Sequence, residues 1–72
     1  MGFRTVVELK EKIIAIGNEL LRQAPTRTGF RTQEYFRAQA LACFEIAHNE
    51  KLLLQMFQLV NDGEHTLADV LP

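Results

Sequence analysis

Glu45 and His48 stand three residues apart in the stretch Ala40-Leu41-Ala42-Cys43-Phe44-Glu45-Ile46-Ala47-His48, a spacing that puts both side chains on one face of a helix. A carboxylate and an imidazole at i and i+3 form the ligand pattern of carboxylate-bridged di-iron bundles, which need a further Glu from a facing helix. Glu11 or Glu19 would have to supply that third ligand in a dimer. One Glu and one His at this spacing arise often by chance, however, and Asn49 and Glu50 beside them read as a solvated patch. His48 also falls between Phe44 and Leu52, where a hydrogen-bonded or half-exposed ring is the ordinary outcome. We therefore expect no metal site and no other cofactor.

The second constellation is Arg22, Arg27, Arg31 and Arg37, interleaved with Thr26, Thr28, Thr32, Phe30 and Tyr35. Guanidinium groups beside a helix N-terminus suit an anionic partner, because free N–H groups and the helix dipole already favour negative charge there. Phe30 is a large apolar residue in a polar loop. It serves either to fill a partner's pocket, to stack on a base, or to lid the end of the fold. Net charge is −1, and a few arginines on a net-acidic chain give weak phosphate affinity at physiological salt. A protein surface is thus the favoured partner and nucleic acid the disfavoured one. Arg27, Phe30, Arg31, Tyr35 and Arg37 are the candidate partner-binding residues.

The lone cysteine, Cys43, allows no intrachain disulfide. In its apolar helical context it reads as a small buried hydrophobe, and an unpaired thiol agrees with a reducing compartment. There is no nucleophile–base set, no Gly-rich phosphate loop and no metal-spaced Cys/His cluster, so the chain is expected not to be an enzyme.

At 47% hydrophobic residues, the composition is that of one folded domain rather than a disordered chain. No uncharged apolar stretch is long enough to span a membrane, and no signal-peptide core is present. The expectation is a cytoplasmic protein.

Thr5-Val6-Val7-Glu8 reads as a capping box opening a helix from about Val6 to Gln23. Val6, Leu9, Ile13, Ile16 and Leu20 alternate three and four apart, the spacing of a packed seam. Val7, Ile14 and Leu21 form a second stripe one residue over. Gly17 costs roughly 1 kcal/mol in mid-helix, which reads as a site where another helix backbone approaches closely, with surface tolerance as the alternative. Pro25 should end this helix by forcing Ala24 toward extended geometry. The loop runs from about residue 24 to 32, with Gly29 at positive φ and Thr32 as the next N-cap.

From Gln33 to Val60 the chain has neither Gly nor Pro, and apolar residues fall on almost every face. Continuity is expected, since His48, Asn49, Glu50 and Lys51 all tolerate helix interiors; a break there, with Asn49 as a new cap, is the alternative. At 1.5 Å per residue the first helix is roughly 27 Å long and the second roughly 42 Å. Asn61-Asp62-Gly63 ends the long helix, Gly63 serving as its C′ residue. Thr66 to Asp69 resembles a cap opening a last helix or turn at about 67–71.

The predicted architecture is all-α: an antiparallel helical hairpin with a long second helix and a short C-terminal helix. One copy this small supplies little cover for so apolar a helix. A homodimer in the form of a four-helix bundle is therefore expected. Leu41, Phe44, Leu52, Leu53, Met56, Phe57 and Val60 are assigned to its interface. Charge is uneven along the chain, with seven basic against four acidic residues through Arg37 and one against five after it. Such asymmetry steers a partner or sets subunits antiparallel. The function expected is a small non-enzymatic interaction module that binds another macromolecule through its Arg and aromatic loop end and its apolar helix face.

Overall fold

The Thr5 hydroxyl accepts from the Glu8 backbone N–H at 3.1 Å, so one of the four orphan donors at the start of α1 is satisfied locally. This helix spans Val6–Gln23, as its capping and apolar spacing imply. The computed structural model describes residues 2–71. Its other helices are α2 at Phe30–Ala47, α3 at Glu50–Val60 and α4 at Leu67–Val70, with one 3-10 turn at Ala24–Thr26. The fold is all-α.

Ala24 stays helical, with φ −52° and ψ −50°, instead of becoming extended. Pro25 sits at the start of the 3-10 turn, where its missing N–H removes no needed bond. The chain first becomes extended at Arg27, with ψ 148°. Gly29 then takes the expected positive φ, 92°. α2 starts at Phe30, earlier than a Thr32 cap would allow, and Gly29 holds the capping position without any side-chain bond. Nε2 of the Gln33 side chain donates to the Arg27 carbonyl at 2.9 Å and ties the turn to the new helix.

The long helix does not run to Val60. It breaks after Ala47, and the expectation of continuity is corrected there. His48 has φ −102° and ψ 8°, and Asn49 is extended at φ −114° and ψ 103°. The Asn49 side-chain oxygen accepts from the Leu52 N–H at 3.1 Å and caps α3. Nδ1 of His48 lies 2.8 Å from the Phe44 carbonyl oxygen; a carbonyl only accepts, so Nδ1 carries the proton. Packing decides the matter. Leu53, Met56 and Val60 share one face and are 4%, 7% and 2% exposed. Burying each contributes about 1.5–3 kcal/mol, whereas the few helical bonds lost at the break are worth about 1 kcal/mol apiece and are partly replaced by the caps. Folding back wins.

One consequence is that α1 and α2 match in length, at 18 residues each. They pack along one another, and α3, 11 residues long, contacts both. Leu9 and Ile13 of α1, Cys43 and Ala47 of α2, and Leu53 and Met56 of α3 form the buried cluster. Phe3, Leu67, Val70 and Leu71 pack on its edge. A link that nothing in the residue pattern announced fastens the segment before α1 to the end of α3. The Asn61 side chain accepts from the Phe3 N–H at 2.8 Å and donates to the Phe3 carbonyl at 3.1 Å. α4 carries the full capping box, Thr66 and Asp69 exchanging side-chain and backbone bonds.

Replacing Asn49 with Ala removes the acceptor for Leu52 and is expected to cost about 1 kcal/mol. That is a fall in thermal midpoint of roughly 4–8 °C for a domain of this size, read by circular dichroism. An unchanged midpoint would mean that burial of α3 alone sets the break.

Candidate interaction surfaces

The residues around the Ala24–Thr26 turn separate into two kinds once their partners are known. Arg27 lies with its guanidinium carbon 4.7 Å from the centre of the Phe36 ring and donates to the Gln23 side chain at 2.8 Å. Phe36 in turn meets Tyr35 edge-on, ring centres 6.2 Å apart. Arg22 is paired with Glu19, and Arg37 with Glu34. The Arg22 guanidinium, with help from the Gln23 amide, lowers the Glu19 carboxyl to about pKa 2, and the same pairing raises that of Arg22. These three arginines are held by their own neighbours. Arg31 has no hydrogen bond or ion pair among the described residues. Beside it Phe30 is 74% exposed and Tyr35 61%.

Of the candidate partner-binding residues, then, Phe30, Arg31 and Tyr35 lie open to solvent near the start of α2. Arg37 is half-buried and paired, and Arg27 is spent on the turn itself. Residue types alone do not separate these five, because the ring beneath Arg27 and the carboxylate beside Arg37 are set by packing and rotamer.

The residues assigned to a subunit interface divide as well. Leu53, Met56 and Val60 lie in the core of a single chain, which corrects their assignment to a surface between copies. The break at His48–Asn49 is the cause, since it turns this face of α3 inward. Phe57 is half-buried and packs on the same core. Leu41 is 58% exposed, and Leu52 also faces outward. Phe44 is half-buried, but its ring lies over Gly17. A Cβ added at Gly17 would stand 2.8 Å from that ring, so what approaches this glycine is an aromatic side chain and not the helix backbone expected.

Two further apolar surfaces are open, one expected from the residue pattern and one not. Val7 and Leu21, of the second stripe on α1, are exposed. On the other side of the molecule Ile46, Leu52, Met56, Leu59 and Val70 line an open groove of about 260 Å³. Seven-residue spacing marks the first; the second needs the fold, since Ile46 and Val70 line one groove only after α3 turns back.

Glu45 and His48 are both exposed, and the His48 ring is engaged by its own helix's carbonyl. Among the described residues no three His, Cys, Asp or Glu side chains cluster to hold a metal ion. Cys43 is buried, and loss of solvation raises its thiol pKa. The carboxyls of Asp62 and Asp69 are lowered by local N–H donors, Glu64 foremost for the first and Thr66 for the second. Those are turn and cap bonds. No helix among the described residues is long and apolar enough to cross a membrane.

No protein-family model, curated protein or solved structure matches the chain.

Proposed function

We propose that this chain is a non-enzymatic interaction module. In this reading α1 and α2 form an antiparallel hairpin, two copies assemble as a four-helix bundle, and the Phe30 end binds a further protein. The observation that carries it is Phe30 and Tyr35, 74% and 61% exposed, flanking Arg31. Aromatic and Arg side chains dominate binding energy at protein interfaces. Two exposed rings bring an unfavourable hydration that a soluble surface gains nothing from unless a partner covers it.

Nucleic acid remains the second class, and it is disfavoured further. Arg22 and Arg37 face carboxylates and Arg27 faces a ring, which leaves little free positive charge for phosphates. A cytoplasmic setting suits the unpaired thiol of Cys43.

Because these side chains are exposed, Phe30→Ala with Arg31→Glu should leave the helical circular-dichroism spectrum intact. Captured proteins are compared for the wild type and this variant, with quantitative mass spectrometry as the readout. Loss of two binding-energy anchors is expected to reduce retention of the specific partner roughly 30-fold. Identical profiles would sink the assignment of this end, and retention on DNA that falls steeply with salt would favour nucleic acid instead.

A further inference from the structure

Ile46 of α2, Leu52, Gln55, Met56 and Leu59 of α3, and Val70 of α4 line one open groove of about 260 Å³. Leu52 and Leu59 are each 42% exposed along it and stand seven residues apart, roughly 10 Å along the helix axis. Gln55 and Leu59 also line an adjoining hollow of about 430 Å³, together with Gln58 and Asp62. The apolar lining thus gives way to a carboxylate at the C-terminal end of α3. On α4, Asp69 is the neighbour of Val70. Local N–H groups, that of Glu64 foremost at Asp62 and that of Thr66 at Asp69, hold both carboxyls below the ordinary carboxylate range, so both are charged at neutral pH. His65 Nδ1 also lies 2.8 Å from the Asp62 carboxylate, and a neutral ring donates there without cancelling the charge. From Ala38 onward the chain holds five acidic side chains against one basic, Lys51, and all six are exposed.

What lines the groove selects among the ways a protein takes up a peptide segment. The described residues contain no strand, so an extended segment finds no edge to join. The lining has no aromatic ring to hold a proline-rich segment and no arginine to hold a phosphorylated one. A helix laid in an apolar groove needs none of these. Its anchors recur at i, i+3 or i+4, and i+7, the same span that separates Leu52 from Leu59. The surrounding acid then sets the sign of the occupant, since opposite charge speeds encounter and like charge is penalised. We propose that this groove docks an amphipathic helix of another protein, with aliphatic anchors over two turns and lysine or arginine beside them. The site goes beyond the reading above, giving the module a second surface that is independent of its Phe30 end.

The probes are synthetic helix-forming peptides of about 15 residues, with leucine at i, i+4 and i+7 or at i, i+3 and i+7 and lysine on the remaining face. Controls carry glutamate in place of lysine, or the same composition in scrambled order. In calorimetric titration against the whole chain, at least one lysine peptide is expected to bind with Kd below about 100 μM, and about tenfold or more tighter than its controls. Added salt should weaken that binding. Leu52→Gln with Leu59→Gln, both at exposed positions and without change of charge, should weaken it about 30-fold while helicity persists. Phe30→Ala should leave it unchanged. Failure of every lysine peptide to bind below that limit, equal binding by the controls, or indifference to the two glutamines would each overturn the assignment. A dimer in light scattering that the two glutamines dissociate would also overturn it, since a second copy would then fill the groove. The Phe30 end is read by its own variant, so the two surfaces fail separately.

Discussion

Ile13→Ala is expected to lower the thermal midpoint by roughly 15–25 °C, the larger part of what this domain can lose and still fold. Ile13 is 0% exposed and sits in the cluster that joins all three long elements. Removing its buried methyl groups costs transfer free energy plus a cavity, about 3–4 kcal/mol at a site walled by neighbours from three helices. A chain of 72 residues has a total stability of about 4–11 kcal/mol. At the lower end of that range the variant is left with about 0–1 kcal/mol and is substantially unfolded in equilibrium at room temperature. Ile16, one turn on and only partly buried, is the internal comparison, and Ile16→Ala should cost less than half as much. Melting followed by circular dichroism, with urea titration for the slope, gives both numbers. Equal effects at the two positions would place the core on the wrong side of α1.

The contrast between these two isoleucines marks what could be read without coordinates. Spacing put Ile13 and Ile16 on the same seam, and the seam is real. Only the docking of α2 and α3 ranks them. The same holds for element ends. Thr5 announced the start of α1 because its cap is a bond between near neighbours, and the positive φ of Gly29 was legible for the same reason. Thr32 misled because the turn there is held by Gln33 reaching back to the Arg27 carbonyl, a contact six residues long that no capping rule contains.

Asn49 is the instructive failure. Its propensity permitted continuation, its capping ability permitted a break, and the two are close in local free energy. What tips the balance is the apolar face of Leu53, Met56 and Val60, which a straight helix would leave wet and a folded-back α3 buries. That long-range gain cannot be assigned until a receiving surface exists. One copy consequently shelters part of its own apolar helix. What it leaves open is narrower: the Val7–Leu21 stripe with Leu41, the groove beside Leu52, and Phe30. Of the candidate site, residue types pointed to the Phe30 end, and only side-chain partners separate Arg31 from Arg22, Arg27 and Arg37.

Gly17→Val carries the second large effect, and its sign comes from a competition. In an exposed helix, replacing Gly gains up to about 1 kcal/mol of backbone propensity. At Gly17 the first added carbon meets the Phe44 ring at 2.8 Å, well inside ordinary contact, and Val adds two methyl groups beyond it. Overpacking of this kind costs about 1–3 kcal/mol, and more where a ring has no room to turn. Part of the gain is also lost because β-branching restricts χ1 in a helix. The net expectation is a loss of about 2 kcal/mol, a midpoint lower by roughly 8–16 °C. Phe44→Ala removes the obstacle, so the double variant should recover at least about 1 kcal/mol relative to the sum of the single changes. Strict additivity would show that Phe44 swings away without cost, and the ring would then be no fixed part of the α1–α2 face. A strong coupling would instead make Gly17 and Phe44 one packed unit that fixes how closely α1 and α2 approach.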